Sequence, residues 1–171
     1  MSTAQVPTLA SARWSLSTIV LAPRGEKIAP SSAERTGLLN WARRTGFDSV
    51  EVSGAWVDVY AQSNFERRAL ASEIADSGLA VSGVNLDRVL DRSGDSAVLE
   101  RGRFSNVLQV AEDLKAPLIS ISFSAKLGPV ILRAADFDER AIAAIAVEAK
   151  RLARAAAGSG IQLSFEVRDD G

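Results

Sequence analysis

Two glutamates lie where a carboxylate could act chemically, because each sits inside a short predicted strand. Glu166 lies in the run 161–167, and Glu51 lies in the run 47–53. A carboxylate so placed either transfers protons or binds a cation at a site, or it forms a structural ion pair with a neighbouring Arg or Lys. The residues alone leave both interpretations open for each glutamate.

The composition narrows this chemistry, because the chain of 171 residues contains no histidine and no cysteine. A Ser-His-Asp triad, an H-E-x-x-H zinc site and a cysteine nucleophile are therefore excluded. Carboxylate, amide, Lys, Arg, Tyr and hydroxyl groups remain for any reaction. The absence of cysteine also favours a reducing, cytoplasmic setting.

Charge and hydropathy argue against two kinds of partner. The 20 Lys and Arg residues are balanced by 21 Asp and Glu, and the net charge of −1 offers no broad basic field for nucleic acid or an anionic membrane. The longest apolar stretches have strand length, well short of the roughly 20 residues that span a bilayer. Residues 1–12 are polar or small and are predicted to form a disordered or frayed N-terminus. We therefore expect a cytoplasmic protein with no nucleic-acid and no membrane partner.

Short apolar runs alternate with longer amphipathic ones along the chain. Ser31 and Glu34 have the spacing of a capping box, Asp136 and Glu139 repeat it, and Asn64 is predicted to cap the second helix. Strands are predicted at 14–21, 47–53, 79–86, 116–123 and 161–167, with a helix between successive strands. Five strands that are each interpreted as nearly all apolar, separated by four helices, are typical of a parallel sheet covered by helices, so the predicted fold class is α/β.

Two architectures fit a run of βα units, an open doubly wound sheet and a TIM barrel. No G-x-G-x-x-G segment and no Walker lysine follows the first strand, where residues 22–27 read Ala-Pro-Arg-Gly-Glu-Lys. Only residues 168–171 follow the last apolar run, so the fifth strand would lack the helix that covers it in an open fold. Both features favour a partial TIM barrel that contains about the first five strands.

A family resemblance rests on four segments. They are GFDSVEVSG at 46–54, ADSGLAVSGVN at 75–85, APLISIS at 116–122 and GIQLSFEV at 160–167. In order and content they resemble the sugar phosphate isomerase/epimerase family, the xylose-isomerase-like TIM barrels, over nearly the whole chain from Trp14 onward. The resemblance covers the first five of the family's eight strands. It implies that residues 13–171 form the N-terminal part of a (β/α)8 barrel domain.

The resemblance also implies a divalent metal (Mn, Mg, Co or Zn) at the C-terminal mouth of the complete barrel. Glu166 matches the family's first metal-binding glutamate and is the expected catalytic residue, whereas Arg168 stands where the family often has a histidine or an amide. The later ligands would lie beyond Gly171. Because hard cations take about six oxygen ligands, we do not expect this chain to bind the metal tightly.

Three further residues are expected to bind substrate if the resemblance holds. Glu51 and Asn85 lie near the ends of the second and third strands, with a structural ion pair and loop capping as their alternative roles. Arg88 is expected in the loop after the third strand, where it would hold a phosphate or carboxylate group unless it is merely solvated. Trp56 and Tyr60 either stack on a sugar ring or pack beneath the loop after the second strand.

The predicted function is that of an N-terminal fragment of a metal-dependent sugar or sugar-phosphate isomerase/epimerase, which transfers a proton next to a carbonyl. The expected partner is a small sugar or sugar phosphate, and the fragment is expected to be inactive alone because its metal site would be incomplete. The alternative is a non-catalytic, half-barrel-like binding or interaction domain whose bare sheet edges pair with a second copy or another chain.

Overall fold

The computed structural model describes residues 14–21, 30–54, 56, 63–91, 96–127, 130–132 and 139–166. The strands are β1 (Ser15–Ser17), β2 (Ser49–Ser53), β3 (Ala80–Asp91), β4 (Leu118–Leu127), β5 (Val130–Leu132) and β6 (Gln162–Glu166). The helices are α1 (Ser32–Thr45), α2 (Asn64–Asp76), α3 (Ser96–Asp113) and α4 (Glu139–Gly158), and a 3-10 turn covers Thr18–Leu21. Helices and strands alternate, which confirms the predicted α/β fold class.

The five parallel strands follow one another across the sheet in chain order. β1 pairs with β2, β2 with β3, β3 with β4 and β4 with β6, and β5 runs antiparallel along the carboxyl end of β4. Because βα crossovers are right-handed, strands added in one direction place their helices on one face, whereas a doubly wound sheet reverses direction. The strand order therefore confirms the partial TIM barrel.

The two faces of the sheet differ in polarity. One face carries apolar side chains that pack with the helices in a single core. These residues are Leu16, Val50, Val52, Val84, Ile119, Ile121 and Leu163. The alternate positions in the register are mostly Ser, Asn or Glu, so the prediction of nearly all-apolar strands is wrong for this second face. Such alternation is expected where one face packs under helices and the other lines an interior.

A contact between β1 and β3 shows which way the sheet curves. The Oγ atoms of Ser15 and Ser82 lie 2.6 Å apart, although β2 separates their strands. Two strand spacings in a flat sheet amount to about 9.6 Å. A shift in the β2–β3 register between Val50 and Glu51 adds a local bend. The polar face is therefore concave, as the interior of a barrel is, and the helices cover the convex face.

The helix starts confirm part of the capping prediction. Ser31 and Glu34 form a complete capping box, in which the Ser31 N–H donates to the Glu34 carboxylate at 2.8 Å. The prediction for α2 is wrong by one residue: Ser63, with extended backbone, is the cap, and Asn64 is the first helical residue. Asp136, the predicted cap of the fourth helix, lies outside the described residues.

The strands differ from the predicted runs mainly in their length. β1 is short because the chain turns into the 3-10 segment at Thr18. β3 continues to Asp91 through polar residues that predict a loop, because it stays paired with β4 as far as Lys126. The sequence does not predict β5, which pairs with this extension of β4. Pairing across the sheet overrides the low strand propensity of Asp. The predicted frayed segment 1–12 lies outside the described residues.

Two ion pairs join the first three helices. Arg35 of α1 donates to both carboxylate oxygens of Glu73 in α2, at 2.7 and 2.8 Å. Arg67 of α2, which is only 8% exposed, pairs with Asp113 of α3. These pairs fix the spacing of the helices over β2 and β3. None of the described helices is long and apolar enough to cross a membrane.

Candidate functional site

The carboxyl ends of the parallel strands meet at one end of the concave face, and Glu166 lies there. Glu166 is the last residue of β6 and pairs with Ser122 of β4, which pairs in turn with Asp87 of β3. We call these three positions the upper row. TIM-barrel active sites form at this end of the strands. Sequence reasoning finds Glu166 but misses Asp87, because polar residues at 87–91 predict a loop.

Asn85 lies in the next row toward the amino ends of the strands, which we call the middle row. It is half-buried and pairs with Ser53 on one side and Ser120 on the other, and Ser120 pairs with Ser164. The prediction that the third strand ends near Asn85 is wrong, because β3 continues to Asp91. Loop capping is therefore not the role of Asn85.

Glu51 lies one row lower again, paired with Ser17 and Gly83. Its side chain is half-buried and makes no ion pair within the part of the chain that the structure describes. Two rows amount to about 13 Å along the strands, and β3 and β4 lie between β2 and β6. The register therefore does not bring Glu51 and Glu166 together, although both are predicted site residues.

The carboxyl end of β2 is closed by the chain itself. Thr18 is fully buried; its Oγ1 accepts a hydrogen bond from the Ser53 N–H at 2.9 Å and lies 3.0 Å from the Ser53 hydroxyl. Trp56 is also fully buried, and its backbone N–H donates to the Ser53 carbonyl at 3.0 Å. Trp56 therefore packs in the core, while Tyr60 lies outside the described residues. Sequence reasoning misses Thr18, whose only signal is a hydroxyl directly after an apolar strand.

Arg88 lies inside β3 and pairs with Phe123 of β4, so its predicted place in a loop is wrong. Arg88 lies four residues after Val84 on β3, so its position belongs to the same face of the strand as Val84. Asn85 belongs to the other face. This placement does not join Arg88 to the polar rows. Its contact with a phosphate or carboxylate group stays a prediction.

The described residues do not complete a metal site. Among them, no group of three or more His, Cys, Asp or Glu side chains is placed to hold an ion. The upper row contains two acidic residues, Glu166 and Asp87, and a hard cation takes about six oxygen ligands. The donor set in the described part of the chain therefore does not fit a tightly bound divalent metal by itself.

The sequence matches no family model and no curated protein. Several solved structures match the fold. A sugar phosphate isomerase/epimerase from Parabacteroides distasonis is 15% identical with a TM-score of 0.65, and the match covers 96% of this chain and 54% of that chain. A xylose isomerase-like TIM barrel protein from Mycobacterium smegmatis in complex with magnesium is 25% identical with a TM-score of 0.65, with coverages of 91% and 55%.

A probable 3-DHS dehydratase from Bacillus anthracis, involved in petrobactin synthesis, is 18% identical with a TM-score of 0.64. That match covers 89% of this chain and 51% of the dehydratase. The chain thus spans about half the length of these solved structures. The resemblance predicted from the sequence is confirmed, since this chain has the fold of the xylose isomerase-like TIM barrels and sugar phosphate isomerase/epimerase proteins over about half of their length, consistent with an N-terminal part.

Proposed function

We propose that this chain supplies the N-terminal part of a sugar or sugar-phosphate isomerase/epimerase that works with a divalent metal in the cytoplasm. The observation that carries the proposal is the upper row, which puts Glu166 at the carboxyl ends of parallel strands on a concave polar face. Solved structures of the same fold include a sugar phosphate isomerase/epimerase and a barrel in complex with magnesium, which supports this reaction class.

Glu166 carries the central role in the proposal. A carboxylate at this position can take a proton from the carbon next to a substrate carbonyl and return it to the neighbouring carbon or the other face. When bound, the metal would stabilise the negative charge that develops on the substrate oxygens. Glu166 would contribute one ligand, and residues outside the described part of the chain would contribute the rest.

The other predicted residues would contact the sugar at different depths. Asn85, in the middle row beside the hydroxyls of Ser53 and Ser120, is placed to bind a substrate hydroxyl. Glu51 would act deeper in the concave face, where a half-buried carboxylate can accept a hydrogen bond from a substrate hydroxyl. Arg88 would bind a phosphate only if the loop beyond the strand ends brings the substrate to it.

Metal binding by the chain as it stands tests the role of Glu166. We expect weak binding of Mn²⁺, measured by electron paramagnetic resonance, and a further loss of about 10-fold in Glu166→Gln, because one charged ligand is removed. Glu112→Gln on the exposed surface of α3 is the matched control and should bind like the parent chain. Equal Mn²⁺ affinity in Glu166→Gln and the parent chain would contradict the assignment of Glu166 as a ligand.

Catalysis is tested separately by incubating the chain with Mn²⁺ and ketoses and separating the products by chromatography. We expect no epimerisation above the rate without protein, since the metal site is incomplete. Turnover that depends on Mn²⁺ and is lost in Glu166→Gln would show that the described residues suffice for the reaction. Such a result would retain the enzyme class and overturn the inactivity of the fragment.

A non-catalytic interaction domain is the second candidate function. It is favoured by exposed apolar side chains on the last helix and strand, such as Val147 and Phe165. Unchanged sugar and metal binding in Glu166→Gln, Asn85→Ala and Glu51→Gln together would favour this candidate over the enzyme.

A further inference from the structure

Glu51 lies in a hollow of small residues on the concave face. In the register it pairs with Ser17 on one side and Gly83 on the other. Ser49 and Ser53 lie two residues before and after it on the same face of β2. We call these four positions the Glu51 hollow. A TIM-barrel interior is ordinarily filled by Val, Ile and Leu side chains, so small polar residues on every side of a carboxylate leave space for a ligand.

The close approach of β4 keeps the hollow open toward β3. A Cβ built on Gly83 would lie 3.1 Å from the Leu118 carbonyl oxygen, which is tighter than ordinary van der Waals contact. Glycine is therefore favoured at this position, and no side chain covers Glu51 from it. Leu118 alternates along β4 with the core residue Ile119, so it belongs to the concave face. The hollow thus has serine positions on three sides and an apolar residue beyond the fourth.

The Ser49 hydroxyl is an independent sign that the hollow takes a ligand. Ser49 is only 1% exposed, and its Oγ has no hydrogen-bond partner among the described residues. Its neighbour Ser15 is engaged with Ser82 instead, and Ser53 is engaged with Thr18. A buried hydroxyl without a partner costs free energy, and a bound polar group would recover it.

The charge of the concave rows favours a cation as this ligand. Glu51 is half-buried and makes no ion pair with any residue that the structure describes. The upper row adds Asp87 and Glu166, and none of the described positions in the three rows is Lys or Arg. An anionic group would add to the negative charge of these rows, whereas a cation would be attracted to it.

Among cations, a protonated primary amine matches the groups in the hollow. Its nitrogen has three N–H donors and no acceptor, and a carboxylate and serine oxygens accept hydrogen bonds. A nitrogen that donates to an oxygen on either side bridges about 5.6 Å. Ser49 and Glu51 are about 6.6 Å apart along the strand, so one nitrogen can contact both. A hard divalent ion takes about six oxygen ligands and is poorly served by one carboxylate. The carbon that carries the amine would have Leu118 as its apolar neighbour.

We propose that the Glu51 hollow binds the protonated amino group of a small ligand, with the Glu51 carboxylate and the hydroxyls of Ser49 and Ser17 as acceptors. The proposal deepens the proposed function and rests on it, since it makes the ligand of the concave face an amino sugar. An ammonium then takes the place of a substrate hydroxyl at Glu51. A charged N–H donor makes a stronger hydrogen bond to a carboxylate than a neutral hydroxyl does.

Titration of the chain with methylammonium chloride at constant ionic strength tests the site without metal or sugar. We expect saturable shifts of the backbone amide NMR signals of Ser17, Glu51 and Gly83. The apparent Kd should be at least about 10-fold lower than for tetramethylammonium, which has the charge but no N–H donor. Glycerol and potassium chloride should also bind at least about 10-fold more weakly. Equal binding of glycerol would assign the hollow to a neutral hydroxyl group, and equal binding of potassium or tetramethylammonium would assign it to charge alone. Each of these results, or the absence of saturable shifts, would overturn the proposal.

Two substitutions in the hollow test its acceptors. Glu51→Gln keeps the size of the side chain and removes its charge, so methylammonium binding should weaken at least about 10-fold. Ser49→Ala removes the buried hydroxyl and should weaken binding by about 3-fold. Glu112→Gln on the exposed surface of α3 is the matched control and should bind like the parent chain. Unchanged methylammonium affinity in either variant would overturn the proposal, and if Glu51→Gln does not fold, Ser49→Ala decides.

Glu166→Gln separates this proposal from the proposed function. Glu166 lies two rows above the hollow, so its substitution should change methylammonium affinity by less than about 2-fold. A loss as large as in Glu51→Gln would place the ammonium at the upper row and overturn the proposal. Unchanged Mn²⁺ binding in Glu166→Gln contradicts the metal role alone, so the two failures are distinguishable.

Discussion

The first three helices and the last helix cover the same sheet, but they differ in the ion pairs and caps that the structure shows. α1, α2 and α3 are joined by the ion pairs Arg35–Glu73 and Arg67–Asp113, and α1 and α2 begin with full capping boxes. On α4, Val147 remains exposed. The difference teaches that ion pairs and caps reinforce the packing of the helices over β2 and β3, whereas α4 shows its packing on the sheet through Leu152 and Ala156.

Core truncation gives the largest expected difference between the two regions. Leu70→Ala, at a fully buried position in α2, should lower the free energy of unfolding by about 3 kcal/mol, because it removes buried apolar atoms and leaves a cavity in the core. Val147→Ala on α4 is the matched surface truncation and should change it by less than about 0.5 kcal/mol. Urea titrations followed by circular dichroism measure both, and comparable losses would contradict the contrast.

Removing one partner of the Arg67–Asp113 pair should come next. Arg67→Ala leaves the Asp113 carboxylate, which is only 25% exposed, without its charged partner. We therefore expect the free energy of unfolding, measured by urea titration, to fall by about 2–3 kcal/mol. Arg43→Ala breaks the exposed pair with Asp48 and serves as the control, with an expected loss below about 1 kcal/mol. If the free energy of unfolding falls equally in both variants, the Arg67–Asp113 pair does not hold α2 to α3.

The parts of the fold that sequence reasoning predicts are those set by local patterns. Apolar runs and the capping signal at Ser31 predict helices and parallel strands, because burial under a helix and capping depend on neighbouring residues. The extension of β3 to Asp91 is not predictable in this way, since polar residues enter a strand there only because β4 lies beside them. Those same polar residues conceal Asp87, which the register places in the upper row.

The candidate site shows the same division between local and long-range information. The position of Glu166 at the end of the last apolar run is readable from the sequence, and the structure confirms that it ends β6. The separation of Glu51 from it is not readable, because it depends on the strand order and on the shift in register after Val50. Thr18 is likewise found only when the chain folds back over Ser53.

Helix capping should give a smaller effect within the well-packed region. Ser63→Ala removes the hydroxyl that accepts a hydrogen bond from the Glu66 N–H at the start of α2. We expect the free energy of unfolding to fall by about 1 kcal/mol. Ser77→Ala, at the other end of the same helix, removes a hydroxyl that donates to the Ile74 carbonyl and is the control. Equal losses by thermal melting would show that α2 does not depend on its N-terminal cap.

The smallest effect concerns the acid limb of stability and Glu73. Burial raises the pKa of Glu73, but hydrogen bonds from Arg35 and Ser32 and the charge of Arg35 outweigh it, so the pKa lies below its ordinary value of 4.5. Because the folded-state pKa is lowered, the ionised carboxylate stabilises the fold above about pH 4.5. That stability is lost as the pH falls from there through the lowered folded-state pKa.

Glu73→Gln should therefore be less stable than the parent chain at pH 7, with a flatter decline of stability between about pH 5 and pH 3. Urea midpoints measured at half-unit pH intervals give both curves. Asp76→Asn is the control in the same helix, since it removes an exposed carboxylate that makes no ion pair among the described residues. If Glu73→Gln keeps the full acid decline, the link between α1 and α2 is not electrostatic, and the cohesion of this region must come from its apolar packing alone.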